Sequence, residues 1–326
     1  ANKDFYSGFS QVKAKQCQGL SNALLSKPIN RLFSKLSVLM QQQNHDPSEM
    51  AQVMQNLTPD DVGVTKEKLL NQFHLEGLVF GDWNEDEAYR ISTNIKKIRM
   101  QHAACAKIHR GITDIRHSSV ISYQVECQHK DHAVVIYFQA PDMSLKNVAL
   151  TMLAEQLIAS PFFNQLRTEQ QLGYLVGSGY IPYNQHPGIG FYIQSPHHPV
   201  GYLIDAIHVF LQKTVENINQ YSHVWDALKK GVMQQLMERD TNLSMKSQRL
   251  WMAIGNQDRT FTYSSQMIQT ILDIDFYELK AYLILLVSRQ GFGEAILYSS
   301  GQHDPISFKT EVIINVQGFK SNSRYT

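Results

Sequence analysis

From Ala133 to Phe138 the chain reads Ala-Val-Val-Ile-Tyr-Phe, six residues without a charge or an amide side chain. Short runs rich in β-branched and aromatic residues favour strand over helix, so this segment is expected at the centre of a sheet. Just before it, Ile121, Tyr123, Val125 and Cys127 alternate with Ser122, Gln124, Glu126 and Gln128, the pattern of a strand wet on one face. His129-Lys-Asp-His132 between the two reads as a hairpin turn. Residues 74–80, 174–181, 190–194 and 294–298 read as further strands.

Helical spacing fills most of the rest. Leu20, Leu24 and Leu25, then Leu32, Phe33, Leu36, Leu39 and Met40, recur every three or four residues, with Pro28 separating two helices. Asp46-Pro-Ser-Glu49 and Thr58-Pro-Asp-Asp61 each place a capping side chain before a proline, so helices are expected to start there. Asn84 caps a helix striped by Ala88, Ile91, Ile95 and Ile98. Ser144 caps another carrying Leu145, Val148, Met152 and Leu157; Ser160-Pro161 is expected to cap the next, ended by Gly173. Residues 202–218, 224–238 and 245–254 read as helices, and Asp275 opens a last one.

Strands in pairs and helices in runs argue an α+β class: two-layer domains, each an antiparallel-rich mixed sheet covered by helices on one face. The length of 326 residues suits two domains, and the patternless stretch 101–118 is expected to separate residues 1–115 from 116–326. A net charge of +1 excludes a strongly basic nucleic-acid binder and an acidic tail. No run of eighteen apolar residues occurs, so no membrane-spanning helix is expected. The start at Ala1 has no apolar signal region; it suits a mature protein or an excised fragment, and its abruptness favours the second. Three cysteines lie far apart and cannot all pair, which argues against a disulfide scaffold.

Chemical motifs are sparse. Cys127, His129, Asp131 and His132 form the densest group of metal-ligand types, but they sit where a solvated turn is expected. His197-His198 lies in a proline-flanked loop. His74 and Glu76 lack the second imidazole of H-x-x-E-H or H-E-x-x-H, and no such motif occurs in the chain. Val176-Gly-Ser-Gly179 misses the nucleophile elbow, and the lone G-x-G fragments make no phosphate loop. The informative block is 160–179, where Arg167 on a helix and Tyr174 opening a strand stand on rigid elements able to present donors into a cleft.

Phe163-Asn-Gln-Leu-Arg-Thr-Glu-Gln-Gln-Leu-Gly-Tyr174 resembles the F-[YN]-x-L-R-T-x-E-Q-L-G-Y block of the pitrilysin and insulin-degrading-enzyme family, with Gln170 where glutamate usually stands. Gly190-Phe-Tyr-Ile-Gln-Ser195 and Leu75-Glu-Gly-Leu-Val-Phe-Gly81 match two of its strands; residues 1–60 match only in helical character. The resemblance implies a metallohydrolase-like fold and a zinc metalloendopeptidase that degrades peptides in a chamber enclosed by two halves. It places residues 1–115 at the end of a third domain and 116–326 in a fourth that binds no zinc. The zinc and its ligands are then outside this chain, and the partners are an N-terminal zinc-bearing half and a peptide substrate, with no nucleic acid or membrane.

Carried over residue by residue, Arg167 and Tyr174 are the substrate-binding and assisting catalytic residues, reaching across the chamber to the zinc site and helping the oxyanion. The chain alone is expected to be inactive. The strand from Tyr174 to Ile181 is also expected to accept an extended peptide along its edge, with Gly177 and Gly179 permitting close approach. Resemblance to bacterial relatives favours a periplasmic location, with a cytoplasmic one open. The rival reading is a catalytically inactive peptide-binding or scaffold module of the same fold.

Overall fold

The computed structural model describes residues 3–99, 103–104, 107–301 and 310–326, so residues 101, 102, 105 and 106 of the expected linker lie outside the described residues. The chain forms two compact units, each built from separate stretches. One comprises Ala1–Leu24, His45–His109 and Arg239–Arg259; the other comprises Leu25–Asn44, Arg110–Glu238 and Thr260–Thr326.

The first unit is mostly helical, and its helices begin where the capping residues stand. Asp46 Oδ1 accepts from Ser48 N at 2.8 Å at the start of Pro47–Asn56. Thr58 and Asp61 exchange bonds at the head of Pro59–Asn71, as do Asn84 and Glu87 at the head of Glu85–Arg99. From Lys3–Leu24, Lys13 Nζ donates to Gln55 O and Leu57 O at 2.8 and 2.9 Å, setting a cation against the C-terminal end of Pro47–Asn56. Leu243–Gly255 completes the unit's helices.

The strand expected over 74–80 does not form. Only Gln72–Phe73 (β1) pairs, in parallel with Ala103–Ala104 (β2), and residues 74–80 run irregularly with Leu75 and Val79 exposed. Alternation makes a strand only when a partner strand takes its backbone bonds and one face is buried, and this segment has neither among the described residues.

The second unit is built on a six-stranded mixed sheet of Ile121–Gln124 (β3), His132–Gln139 (β4), Leu175–Tyr180 (β5), Gly188–Ser195 (β6), Gly293–Ser299 (β7) and Glu311–Val312 (β8). The order is β5-β6-β4-β7-β3-β8. β4 is central and buried along its whole length, antiparallel to both β6 and β7. The hairpin expected at 129–132 is absent. β7, some 170 residues further on, lies between β4 and β3 and pairs with β3 in parallel. A turn-like tetrapeptide sets no pairing when a later apolar strand fills the place beside it.

Val134, Ile136 and Phe138 face a core covered by the helices Leu145–Phe163, Val200–Glu216, Trp225–Leu236, Tyr263–Asp273 and Phe276–Ser288. Ala133, Val135 and Tyr137 face a second core covered by Pro28–Met40 and Val316–Asn322, so helices lie on both faces of this sheet. The patternless residues 110–116 are held under it. Buried Gln139 accepts from Ile115 N at 2.9 Å and donates to Thr113 O at 2.8 Å.

Pro161 does not start a helix. Leu145–Phe163 runs through it because Leu153, Leu157, Ile158, Phe162 and Leu166 form one buried stripe across the proline. The proline forfeits one backbone bond, a cost the continuous stripe outweighs. Beyond it, residues 164–169 widen into a π-turn, with Gln170 N donating to Gln165 O at 2.9 Å.

Candidate functional site

Arg167 lies on that π-turn, half-buried. Among the described residues no hydrogen bond or ion pair engages its guanidinium, which leaves its donors available to a ligand. The chain then turns at Gln171, whose φ of 53° supplies the left-handed residue expected of Gly173.

Gly173 is needed for another reason. A Cβ there would clash with the carbonyl oxygen of Gln194, which is backbone and cannot swing aside, so only glycine lets this segment lie against β6. The approach brings Tyr174 N to Gln194 O at 3.2 Å and sets Tyr174 at the start of the edge strand β5.

The Tyr174 side chain is 42% exposed, yet its hydroxyl is fixed. It donates to Asp131 Oδ2 at 2.5 Å and accepts from Gln194 Nε2 at 2.5 Å, while Gln194 Nε2 also lies 2.9 Å from Asp131 Oδ2. Asp131 precedes β4 and Gln194 is the last residue but one of β6, so three chain segments meet at one end of the sheet. Desolvation, the bond to Asp131 and that carboxylate's charge push the Tyr174 phenol up to about 12, so it stays protonated at neutral pH. Burial raises the Asp131 carboxyl, but bonds from Tyr174 and Gln194, with His129 and His132 nearby, outweigh it and hold it below its usual range. The site therefore presents an unpaired guanidinium and a neutral, oriented phenol.

Further along β5, a Cβ at Gly177 would stand 2.5 Å from the Tyr192 hydroxyl, so a side chain there would have to displace the end of the Tyr192 ring. Gly179 is less confined; a Cβ there would meet Ile181 at 3.8 Å. Ser178 Oγ donates to Glu155 Oε1 at 3.1 Å, and burial raises the Glu155 carboxyl. Ile181 N donates to Gly188 O, so by antiparallel alternation Val176, Ser178 and Tyr180 turn their backbone groups to the outer edge.

The groups with metal-ligand chemistry do not converge. His129 Nδ1 accepts from Asp131 N, and Asp131 is engaged by Tyr174. Ser195 Oγ accepts from the backbone of both His197 and His198, and the His198 ring stacks on Tyr202 at 5.3 Å. Among the described residues no three His, Cys, Asp or Glu side chains gather to hold a metal ion. Asp131 and Gln194 escape a reading by motif. The available signal was an amide ending an otherwise apolar strand, which demands buried partners.

Residues 152–251 match the family described as PQQ synthase PqqF-like, C-terminal lobe domain 4. The chain is 27% identical over 277 residues to a nardilysin-like protein of Arabidopsis thaliana, covering 82% of this chain and 27% of that one. It is 23% identical over 265 residues to human insulin-degrading enzyme, covering 78% and 26%. It thus spans about a quarter of the length of these curated relatives. The crystal structure of pitrilysin superposes with a TM-score of 0.85 at 16% identity, covering 98% of this chain and 35% of that one.

Proposed function

The chain is an M16-family polypeptide, related to pitrilysin and insulin-degrading enzyme, and on that premise we propose that it forms a non-zinc-binding wall of a peptide-degrading chamber and supplies Arg167 and Tyr174 to the substrate. The observation that carries the reading is the pair itself: a half-buried guanidinium without a partner among the described residues, and an exposed phenol held rigidly seven positions on. The zinc that the family resemblance implies finds no gathered ligand set among this chain's described residues, so the reading places it in a separate zinc-bearing half.

Peptide hydrolysis develops negative charge on the scissile carbonyl oxygen, and preplaced donors stabilise it more than they stabilise the ground state. Arg167 offers several donors at no cost in broken protein bonds. The outer edge of β5, at Val176, Ser178 and Tyr180, pairs with an extended peptide and aligns it, with Gly177 and Gly179 keeping that strand slim.

The test joins this chain to a zinc-bearing half and measures cleavage of a quenched fluorescent peptide. Arg167→Gln and Tyr174→Phe are each expected to lower kcat/KM, for a lost transition-state donor by on the order of 10²-fold. Unchanged kcat/KM in both contradicts the reading.

A further inference from the structure

Gln194 is 0% exposed, and its bonding fixes the chemistry of Tyr174. Its Oε1 accepts from Ile29 N at 3.2 Å. A backbone N–H only donates, so the amide has one orientation, with Nε2 toward Asp131 and Tyr174. A phenol carries a single proton. The Tyr174 oxygen accepts from Gln194, and an ionised Asp131 can only accept, so that proton sits in the bond to Asp131.

We propose that Asp131 and Gln194 are positioning residues that hold the Tyr174 phenol with its proton turned inward, so that a bound peptide meets Tyr174 as an acceptor for a backbone N–H while Arg167 supplies the donors. This rests on the reading of Tyr174 as a substrate contact and divides the labour within it. The donor role expected for Tyr174 at the oxyanion requires the Asp131 bond to be given up. One lone pair is left on the phenol oxygen of a side chain that is 42% exposed, and an amide N–H is the group in a peptide that it can meet.

The first test needs only this chain. Tyrosine labelled with ¹³C at the ring carbon bearing oxygen reports ionisation, and Tyr174→Phe assigns the signal. Asp131→Asn keeps the shape and removes the charge, so the Tyr174 phenol, at about 12 in the unsubstituted chain, should ionise at least tenfold more readily. His129 and His132 also face Asp131, so the titration is followed in the alkaline range where the phenol itself ionises. An unmoved titration overturns the inference. Should Asp131→Asn fail to fold, the unsubstituted chain still decides: a downfield hydroxyl proton that vanishes in Tyr174→Phe supports the inward bond, and its absence overturns it.

The second test uses the chain joined to a zinc-bearing half and peptides in which successive backbone N–H groups are replaced by ester oxygen. At one position the ester should raise KM in the unsubstituted enzyme and change nothing in Tyr174→Phe. No such position overturns the acceptor role. A moved titration with turnover indifferent to Tyr174→Phe overturns the substrate-contact reading alone, because the inward proton is read by the titration.

Discussion

Gly173→Ala is expected to be the most damaging single-methyl change near the site. The new Cβ would clash with the Gln194 carbonyl oxygen, and would stand 2.9 Å from that carbonyl's carbon and 3.1 Å from Ile193 Cγ2. The main obstacle is backbone within a hydrogen-bonded strand pair, so the segment must withdraw by on the order of 1 Å in a close-packed region. Inserting a methyl into such packing typically costs about 1–3 kcal/mol, and the immovable neighbour argues for the upper end. For a unit of roughly two hundred residues this lowers the melting temperature by about 6–12 °C.

Withdrawal also breaks the bond from Tyr174 N to Gln194 O, so the phenol should lose its fixed partners. Gly179→Ala is the control: its Cβ meets only Ile181 at 3.8 Å, and its expected effect is within about 1 kcal/mol. Thermal unfolding followed by near-ultraviolet circular dichroism compares the two variants. Equal melting temperatures would refute the claim that Gly173 is glycine because Gln194 occupies the space.

Two further outcomes follow from β5 and its neighbour helix. Burial raises the Glu155 carboxyl, so its contribution to stability is fully present below its ordinary value of 4.5 and is lost as pH rises through the raised value. Glu155→Gln should therefore unfold at higher denaturant than the unsubstituted chain at pH 7, with the difference fading toward pH 4; a gain that is equal at both pH values contradicts this. Ser178→Pro removes one outward N–H at the edge of the sheet without removing a backbone bond to β6, so it should weaken binding of an extended peptide more than Ser178→Ala, which loses the same hydroxyl bond to Glu155. Unchanged peptide affinity speaks against pairing along that edge.

The local features of this fold were legible where local chemistry decides them. Asp46, Thr58, Asn84, Ser144 and Asp275 mark helix starts because a capping side chain acts on its own first turn. The central position of β4 was legible because the run Ala133–Phe138 carries no charged or amide side chain and is buried on both faces. Pairing was not legible. The alternation of residues 121–128 and the apolar run of 133–138 look like a hairpin, and only the long-range arrival of β7 separates them. Pro161 misled because a capping pattern and a continuous buried stripe competed and the stripe won. The helix Tyr263–Asp273 went unrecognised between clearer neighbours.

At the site, the arginine–tyrosine block stood out through its resemblance to a family, while its supports did not. Asp131 looked like one polar residue in a solvated turn, and Gln194 like the end of a strand. Their meeting at Tyr174 depends on three segments converging at one end of the sheet, which no local pattern encodes.

The central claim is that this chain completes a reaction centre whose metal is bound elsewhere. Zinc content by elemental analysis, measured beside peptide turnover, tests it on the purified chain alone and after joining it to a zinc-bearing half. The account predicts neither stoichiometric zinc nor cleavage for the chain alone, and chelator-sensitive cleavage once the two are joined. One zinc per chain together with chelator-sensitive cleavage by the chain alone would contradict it.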